Sequence, residues 1–355
     1  MSMQLLKEQL HAQNAAALIL SEENIRYFTS FPASNGILFV TGDTATYWTD
    51  SRYIEAAQAQ VKDCDDILLL QDFSSSVLPI IKKSGCNTLL VEGERMTVTR
   101  FNAYRAKLPD ATFRADALDD VINHIRAVKR QEEVDCVIKA QRIAEDALHR
   151  LVPKIKAGAV ERELQLELDY TMLKLGAEAL SFETILVSGK NTSLPHGVPS
   201  EKKIENGDFV TIDFGATYCG YHSDMTRTFA VGFASDKMHE IYQTVLDAQN
   251  AGLAALRPGV ACKAVDAVSR DFIASKGYGD YFGHGLGHGV GVEIHEFPVL
   301  NPKSDWTLAE GHIVTVEPGI YLPGDCGVRI EDMALITPDG SRNLTLYEKD
   351  HLIIL

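Results

Sequence analysis

The sequence predicts an α/β domain followed by a longer α+β domain with internal pseudo-symmetry, and three observations carry this. The chain has 355 residues, more than a single core usually serves. Short apolar runs alternate with helical segments in its first third, which is the pattern of an α/β layer. Further on, two glycine-bounded helical stretches, Gly158 to Gly176 and Gly259 to Gly277, each span 18 positions and lie 101 positions apart.

Taken in order, Ala16–Leu20, Gly36–Val40, Ala45–Thr49, Ile67–Leu70 and Thr88–Val91 read as strands of a mixed sheet, among helices such as Leu5–Gln13 and Val77–Lys83. The chain divides near Asp120–Arg130, giving domains 1–124 and 125–355. Glu132–Lys156 then reads as a long helix, with Val134, Val137, Ile138, Ile143, Ala144, Ala147, Leu148 and Leu151 on its apolar face. Lys156-Ala157-Gly158 and Arg257-Pro258-Gly259 open the two repeated stretches, and each follows a long helix. Phe209–Tyr218 and Tyr221–Val231 form a hairpin about Cys219-Gly220, after the turn signal Asn206-Gly207-Asp208. With Tyr218 facing Tyr221, Asp213 faces Thr226, and Asp224 lies diagonally on the same face, roughly 7–8 Å away. Glu317 ends the strand-like run Ile313–Val316, and Glu331 sits in the strand-like Val328–Asp332.

Composition limits the function. With 45% hydrophobic and 23% charged residues the chain is an ordinary globular protein, and its net charge of −15 disfavours nucleic acid or an anionic membrane as partner. The six cysteines have no C-x-x-C spacing, so reduced thiols in a cytoplasmic protein are expected. The longest apolar run near the start, Ala15–Leu20, is too short for a signal sequence or a membrane span.

Asp213, Asp224, His288, Glu317 and Glu331 are the candidate metal ligands. A single acid on a strand is usually an edge charge, but several acids flanked by Val, Ile and Phe are costly to bury without a cation. One imidazole with four carboxylates suits two hard divalent ions better than one tetrahedral zinc. His288 lies in a run from Gly283 to Gly291 with glycine at every second position, which lets backbone approach closely while the side chains between act. His295 and His196 follow as candidates, in Val292–Pro298 and Leu194–Gly197. His11, His124, His149, His239 and His351 lie in ordinary polar contexts. His222 and His312 are open, read on balance as structural.

These motifs resemble the M24 metallopeptidases of the pita-bread fold, in the branch of Xaa-Pro aminopeptidases and prolidases. The matching stretches are Leu194–Gly197, Thr211–Gly215, Ser223–Thr228, His284–His295, Val316–Tyr321 and Gly327–Asp332; Thr49–Tyr53 resembles the N-terminal domain of the same branch. The resemblance implies two divalent ions per subunit, Mn²⁺ first, with Co²⁺, Zn²⁺ or Fe²⁺ compatible. Asp213, Asp224 and Glu331 would hold one ion; Asp224, His288, Glu317 and Glu331 the other. It implies Glu317 as proton shuttle, His295 and His196 at the scissile carbonyl, His284 on the proline side, and Tyr321 and Arg329 as further site residues, with Arg329 bracing Asp224. A homodimer acting on peptides with proline second is the expected assembly. Val299 stands where some prolidases carry arginine, so an Xaa-Pro aminopeptidase is expected ahead of a prolidase. A methionine aminopeptidase fits the motif wording less well. A metal-free or inactive relative is disfavoured because none of the five ligand positions is lost.

Overall fold

Ala15–Ile19 (β1) is buried at all five positions, as a strand with layers on both faces must be. In the computed structural model, which describes residues 2–32 and 35–355, β1 lies inside a six-stranded sheet. The other strands are Gly36–Val40 (β2), Ala45–Thr49 (β3), Asp66–Leu69 (β4), Thr88–Val91 (β5) and Thr112–Arg114 (β6), in the order β4-β3-β2-β1-β5-β6. The sheet is mixed: β1 pairs antiparallel with β2 and parallel with β5. Six helices accompany it, α1 (Ser2–Gln13), α2 (Glu22–Thr29), α3 (Ile54–Gln60), α4 (Phe73–Ser84), α5 (Val98–Lys107) and α6 (Leu118–Ala127). Ser21, Asp72 and Thr97 cap α2, α4 and α5 by accepting from backbone N–H groups two to three residues into the helix. Phe73, Val77 and Ile81 of α4 pack on Leu18, Phe39, Trp48, Leu89 and Val91 of the sheet. The expected strands are all present. The edge strand β6 was not foreseen, because its three residues are only half-buried or exposed and show no apolar alternation.

The chain forms two units, the first ending at Arg126 and the second comprising Ala127–Leu355. The second opens with α7 (Gln131–Leu151), whose buried stripe runs Val134, Val137, Ile143, Ala144, Ala147, Leu148, Leu151 at helical spacing. With α8 (Glu161–Lys174) it covers a sheet of β8 (Ile185–Ser188), β9 (Phe209–Phe214) and β12 (Met225–Ala230); β7 (Ala179–Leu180), β10 (Ala216–Tyr218) and β11 (Tyr221–His222) form a second small sheet. The arrangement then repeats. Helices α9 (Asp236–Ala255) and α10 (Cys262–Ser275) cover the sheet β14-β13-β15-β18-β19, made of β13 (Gly287–Gly289), β14 (Glu296–Leu300), β15 (Ile313–Val316), β18 (Asp332–Thr337) and β19 (Gly340–Asn343). A two-stranded ribbon, β16 (Gly319–Leu322) with β17 (Cys326–Arg329), completes the unit.

The repeated glycines do the same job in both halves. Gly158 and Gly259 hold φ of 89° and 83°, Gly176 and Gly277 of 104° and 86°, values that L side chains rarely adopt. Gly158 and Gly259 each donate a 2.8 Å hydrogen bond, to the carbonyls of Ile204 and Leu308. The isolated bridges Val160–Lys203 and Ala261–Thr307 start from positions again 101 apart.

The hairpin register matches the sequence, with Tyr218 opposite Tyr221 and Asp213 opposite Thr226. The continuous strands Phe209–Tyr218 and Tyr221–Val231 do not form; both break at Gly215 and at Ser223-Asp224. A Cβ on Gly215 would lie 1.9 Å from the Ser223 carbonyl oxygen, closer than a regular pleat permits. Asp224 therefore leaves the ladder instead of standing on it as a diagonal neighbour.

Behind the hairpin, Arg227 is buried and donates to the carbonyls of Thr226, Glu331 and Tyr347 and to Asp332 Oδ1 at 2.7–2.9 Å. Asp332 also receives Lys349, Gln249 and Asn343. Burial alone would push the Asp332 carboxyl up, but Arg227 and Lys349 outweigh it and hold its pKa down. Among the described residues no helix is long and apolar enough to cross a membrane.

Replacing Arg227 with Ala leaves Asp332 buried with one cation fewer. We expect it to lower unfolding stability by about 3–5 kcal/mol, read as a reduced urea midpoint. A loss under about 1 kcal/mol would contradict the clamp.

Candidate metal centre

Three of the five candidate ligands stand where a strand is interrupted: Asp224 just before β12, Glu317 between β15 and β16, and Glu331 between β17 and β18. Asp213 is the fifth residue of β9 and His288 the middle residue of β13. A break frees the side chain from strict alternation, so the carboxylates converge. Glu331 reaches the hairpin through an isolated bridge to Thr226, its N–H donating to the Thr226 carbonyl at 3.2 Å. Gly287 permits the approach of β13, since a Cβ there would sit 2.0 Å from the Thr315 carbonyl oxygen.

Ligand atoms of Asp224, His288 and Glu331 all lie within 4.8 Å of one another. His288 Nδ1 faces the Gly289 carbonyl at 3.0 Å and donates to it, which leaves Nε2 as the nitrogen directed at the carboxylates. That Nε2 lies 3.5 Å from Asp224 and 3.3 Å from Glu317. Each remaining carboxylate is braced at one oxygen. Thr226 Oγ1 donates to Glu331 Oε2 at 2.7 Å, Thr315 Oγ1 to Glu317 Oε1 at 3.1 Å, and Arg329 Nη2 to Asp213 Oδ2 at 2.6 Å. Asp213 Oδ1, Asp224 Oδ1 and Glu331 Oε1 are buried and accept no hydrogen bond. Buried carboxylate oxygens of that kind need a cation or a donor. Hard oxygen donors converging beside one imidazole fit divalent ions.

The electrostatics agree. Burial, then the charges of Glu331, Asp213 and Glu317, push the Asp224 carboxyl well up; burial and the charges of Glu317 and Asp213 do the same to Glu331. Burial raises Asp213 despite its contact with Arg329. Glu317 is the exception. Burial pushes it up, but the hydrogen bond and charge of His288 prevail and hold it at about 2. Burial pulls His288 down, and Glu317 more than restores it.

Arg329 links the centre to a tyrosine and a histidine. Its Nη1 donates to the Tyr321 hydroxyl at 2.8 Å, and that hydroxyl lies 3.0 Å from His284 Nε2. His284 Nδ1 is 2.8 Å from the Gly285 carbonyl, so it donates there and Nε2 accepts from Tyr321. Burial pushes the Tyr321 phenol up to about 12, keeping it a donor. The brace from Arg329 falls on Asp213, not on Asp224 as expected. The segment after β17 crosses the hairpin at Thr226, and the cross-strand partner of Thr226 is Asp213. His295 is exposed, with its ring edge-on to His288 at a centroid distance of 4.4 Å, and His196 is exposed on the loop after β8. Behind His295, Glu296 is buried against Lys129 at 2.5 Å. His312 accepts from the Ala309 N–H, a structural role.

All ten residues singled out as site candidates sit in or against one cleft of about 590 Å³. Phe182, Ile185, Val198 and Val299 give it apolar walls, and Asn301 and Glu183 polar ones. Arg329 is the single lysine or arginine among the described residues lining it. Sequence reasoning missed Thr226 and Thr315. The hairpin register already placed Thr226 opposite Asp213, and Thr315 stands two residues before Glu317 on the same strand face.

Residues 135–338 match Metallopeptidase family M24, and residues 3–128 match the Creatinase/Prolidase N-terminal domain. A Xaa-Pro dipeptidase of Pyrococcus furiosus is 40% identical over 330 residues, covering 93% of this chain and 92% of that protein. The structure of a Xaa-Pro dipeptidase from Bacillus anthracis superposes with a TM-score of 0.94 at 39% identity, covering 100% of both chains. That of an X-Pro aminopeptidase from Thermotoga maritima gives 0.90 at 36% identity, covering 99% of this chain and 100% of the other.

The raised carboxyls set a sign for pH. Below the ordinary values of 3.8 and 4.5, Asp224 and Glu331 are protonated in both folded and unfolded chains. As pH rises past them the unfolded chain ionises first, so metal-free protein loses stability. Glu317, held at about 2, contributes stability that is complete above its ordinary value of 4.5, so it adds no further change with pH beyond that point. The difference in Tm between Mn²⁺-loaded and chelated protein should therefore widen from about pH 5 to about pH 8; a constant or narrowing difference would contradict the assignment.

Proposed function

This chain belongs to metallopeptidase family M24, and we propose that it is an Xaa-Pro dipeptidase, a prolidase, cleaving dipeptides whose second residue is proline. The observation that carries the reading is near-full-length similarity to Xaa-Pro dipeptidases, in sequence and in fold. It reverses the order expected from Val299. Four imidazoles and Asn301 line the cleft, and the Asn301 carboxamide N–H₂ is a donor able to receive a dipeptide carboxylate without an arginine at position 299. The second reading, an Xaa-Pro aminopeptidase, is favoured by one observation: the cleft's one guanidinium is already committed to Asp213 and Tyr321.

In the proposed site Asp213, Asp224 and Glu331 would hold one divalent ion and Asp224, His288, Glu317 and Glu331 a second, with Mn²⁺ first among candidates. When bound, such ions lower the pKa of water towards neutrality and offset charge at the scissile carbonyl oxygen. Glu317 takes the proton released by the attacking water and passes it to the proline nitrogen, which leaves as a secondary amine. His196 and His295 face the cleft from opposite sequence segments and donate to the carbonyl oxygen as it becomes anionic. His284, fixed by Tyr321, lines the proline side. Arg329 keeps Asp213 and Tyr321 in register. Proline makes a dedicated enzyme necessary, because its tertiary amide has no N–H for ordinary peptidases to grip. We assign residues 1–124 to the N-terminal domain and 125–355 to the catalytic domain, and place the enzyme as a cytoplasmic homodimer. The two families matched end to end along the chain support that division.

Two measurements check the proposal. The kcat/KM of Mn²⁺-loaded enzyme should be higher for Ala-Pro than for Ala-Pro-Ala, and a preference for the tripeptide would make the second reading correct. His295→Ala and His196→Ala should each lower kcat by about 10²–10³ with bound manganese unchanged. Loss of metal in either variant would place that histidine among the ligands.

A further inference from the structure

We propose that Glu161 is a positioning residue for His196, its buried carboxylate tying together the two ends of the loop that carries this imidazole. The inference rests on the role given to His196 above. Glu161 is the first residue of α8 and is fully buried, yet no ammonium or guanidinium pairs with it among the described residues. Its oxygens are instead satisfied by the loop. Oε1 accepts from Ser188 N at 2.6 Å, Ser188 Oγ at 2.8 Å and Asn191 Nδ2 at 3.3 Å, all where the loop begins. Oε2 accepts from Ser200 N at 3.1 Å and Ser200 Oγ at 2.7 Å, where it ends, and shares the Asn191 amide at 3.4 Å. Two further ties hold the middle: Gly327 N donates to Thr192 Oγ1 at 2.8 Å, and Arg329 Nη1 to the Pro195 carbonyl at 3.3 Å. Between these anchors the tip projects, with Leu194 57% and Val198 76% exposed on either side of His196.

The second half of the unit shows that the turn itself does not need a carboxylate. Cys262 occupies the position 101 residues on, is the first residue of α10 and is fully buried. Its N–H donates to the Trp306 carbonyl at 2.9 Å, as that of Glu161 donates to Lys202 at 3.1 Å. A thiol serves there. The carboxylate is therefore specific to the half whose loop bears His196, and six hydrogen bonds compensate its burial.

Glu161→Gln keeps one acceptor and turns an amide towards the Ser200 N–H, freeing one end of the loop. The test compares kcat on Ala-Pro and bound manganese for this substitution in the wild-type and His196→Ala backgrounds. We expect kcat to fall about 10- to 100-fold in the first background with metal unchanged, and less than about twofold in the second. Equal losses in both backgrounds, or loss of manganese, would overturn this inference alone. An unchanged kcat in His196→Ala itself would overturn both the inference and the role of His196. If Glu161→Gln does not fold, Ser200→Ala must show the same dependence on background with a loss of about threefold; no loss in the wild-type background would overturn the proposal.

Discussion

Like charge held at close range is the constraint on which the second unit depends. Asp213, Asp224, Glu317 and Glu331 face one another in a cleft, and three of them keep an oxygen that accepts no hydrogen bond. Folding pushes Asp224 and Glu331 up in pKa, so their ionised forms oppose the fold until a cation offsets them. Much of the surrounding structure braces this arrangement. Thr226, Thr315 and Arg329 each fix one oxygen, and on Glu331 and Asp213 the twin is left without a hydrogen bond. His288 adds the one softer donor, its tautomer set by Gly289.

Duplication supplies the convergence. Each half lays a helix pair over a sheet, and each contributes two acids at or beside strand breaks: Asp213 and Asp224 from the first, Glu317 and Glu331 from the second. The Arg227–Asp332–Lys349 cluster lies behind the crossing of the two, joining the hairpin, the Glu331 segment and the carbonyls of Tyr347 and Glu348. The halves differ where chemistry differs. Glu161 and Cys262 stand at matching positions, and only the first anchors a histidine loop.

Much of this was legible in the sequence. Alternation and the Cys219-Gly220 turn fixed the hairpin register, and with it the pairing of Asp213 with Thr226. Apolar runs located five of the six N-terminal strands, four of them buried and so apolar in composition, and β4 by its leucines although these are exposed. The glycine spacing announced the duplication, since left-handed backbone at the same place in both halves demands the same residue. What was not legible depended on contacts between distant segments. The breaks at Gly215 and Asp224 arise from a close backbone approach that no local pattern encodes. Arg329 braces Asp213 because of how the segment after β17 crosses the hairpin, whereas proximity in sequence to Glu331 suggested Asp224. Val299 pointed to an aminopeptidase by a single missing charge, yet the similarity along the whole chain favours a dipeptidase.

The most direct test of the central claim is calorimetric titration of the metal-free protein with Mn²⁺, alongside Asp224→Asn. The account predicts about two bound ions per chain in the wild type and weakened binding of both in the variant, because Asp224 is shared. A single site, or a variant that binds both ions as tightly as the wild type, would contradict it.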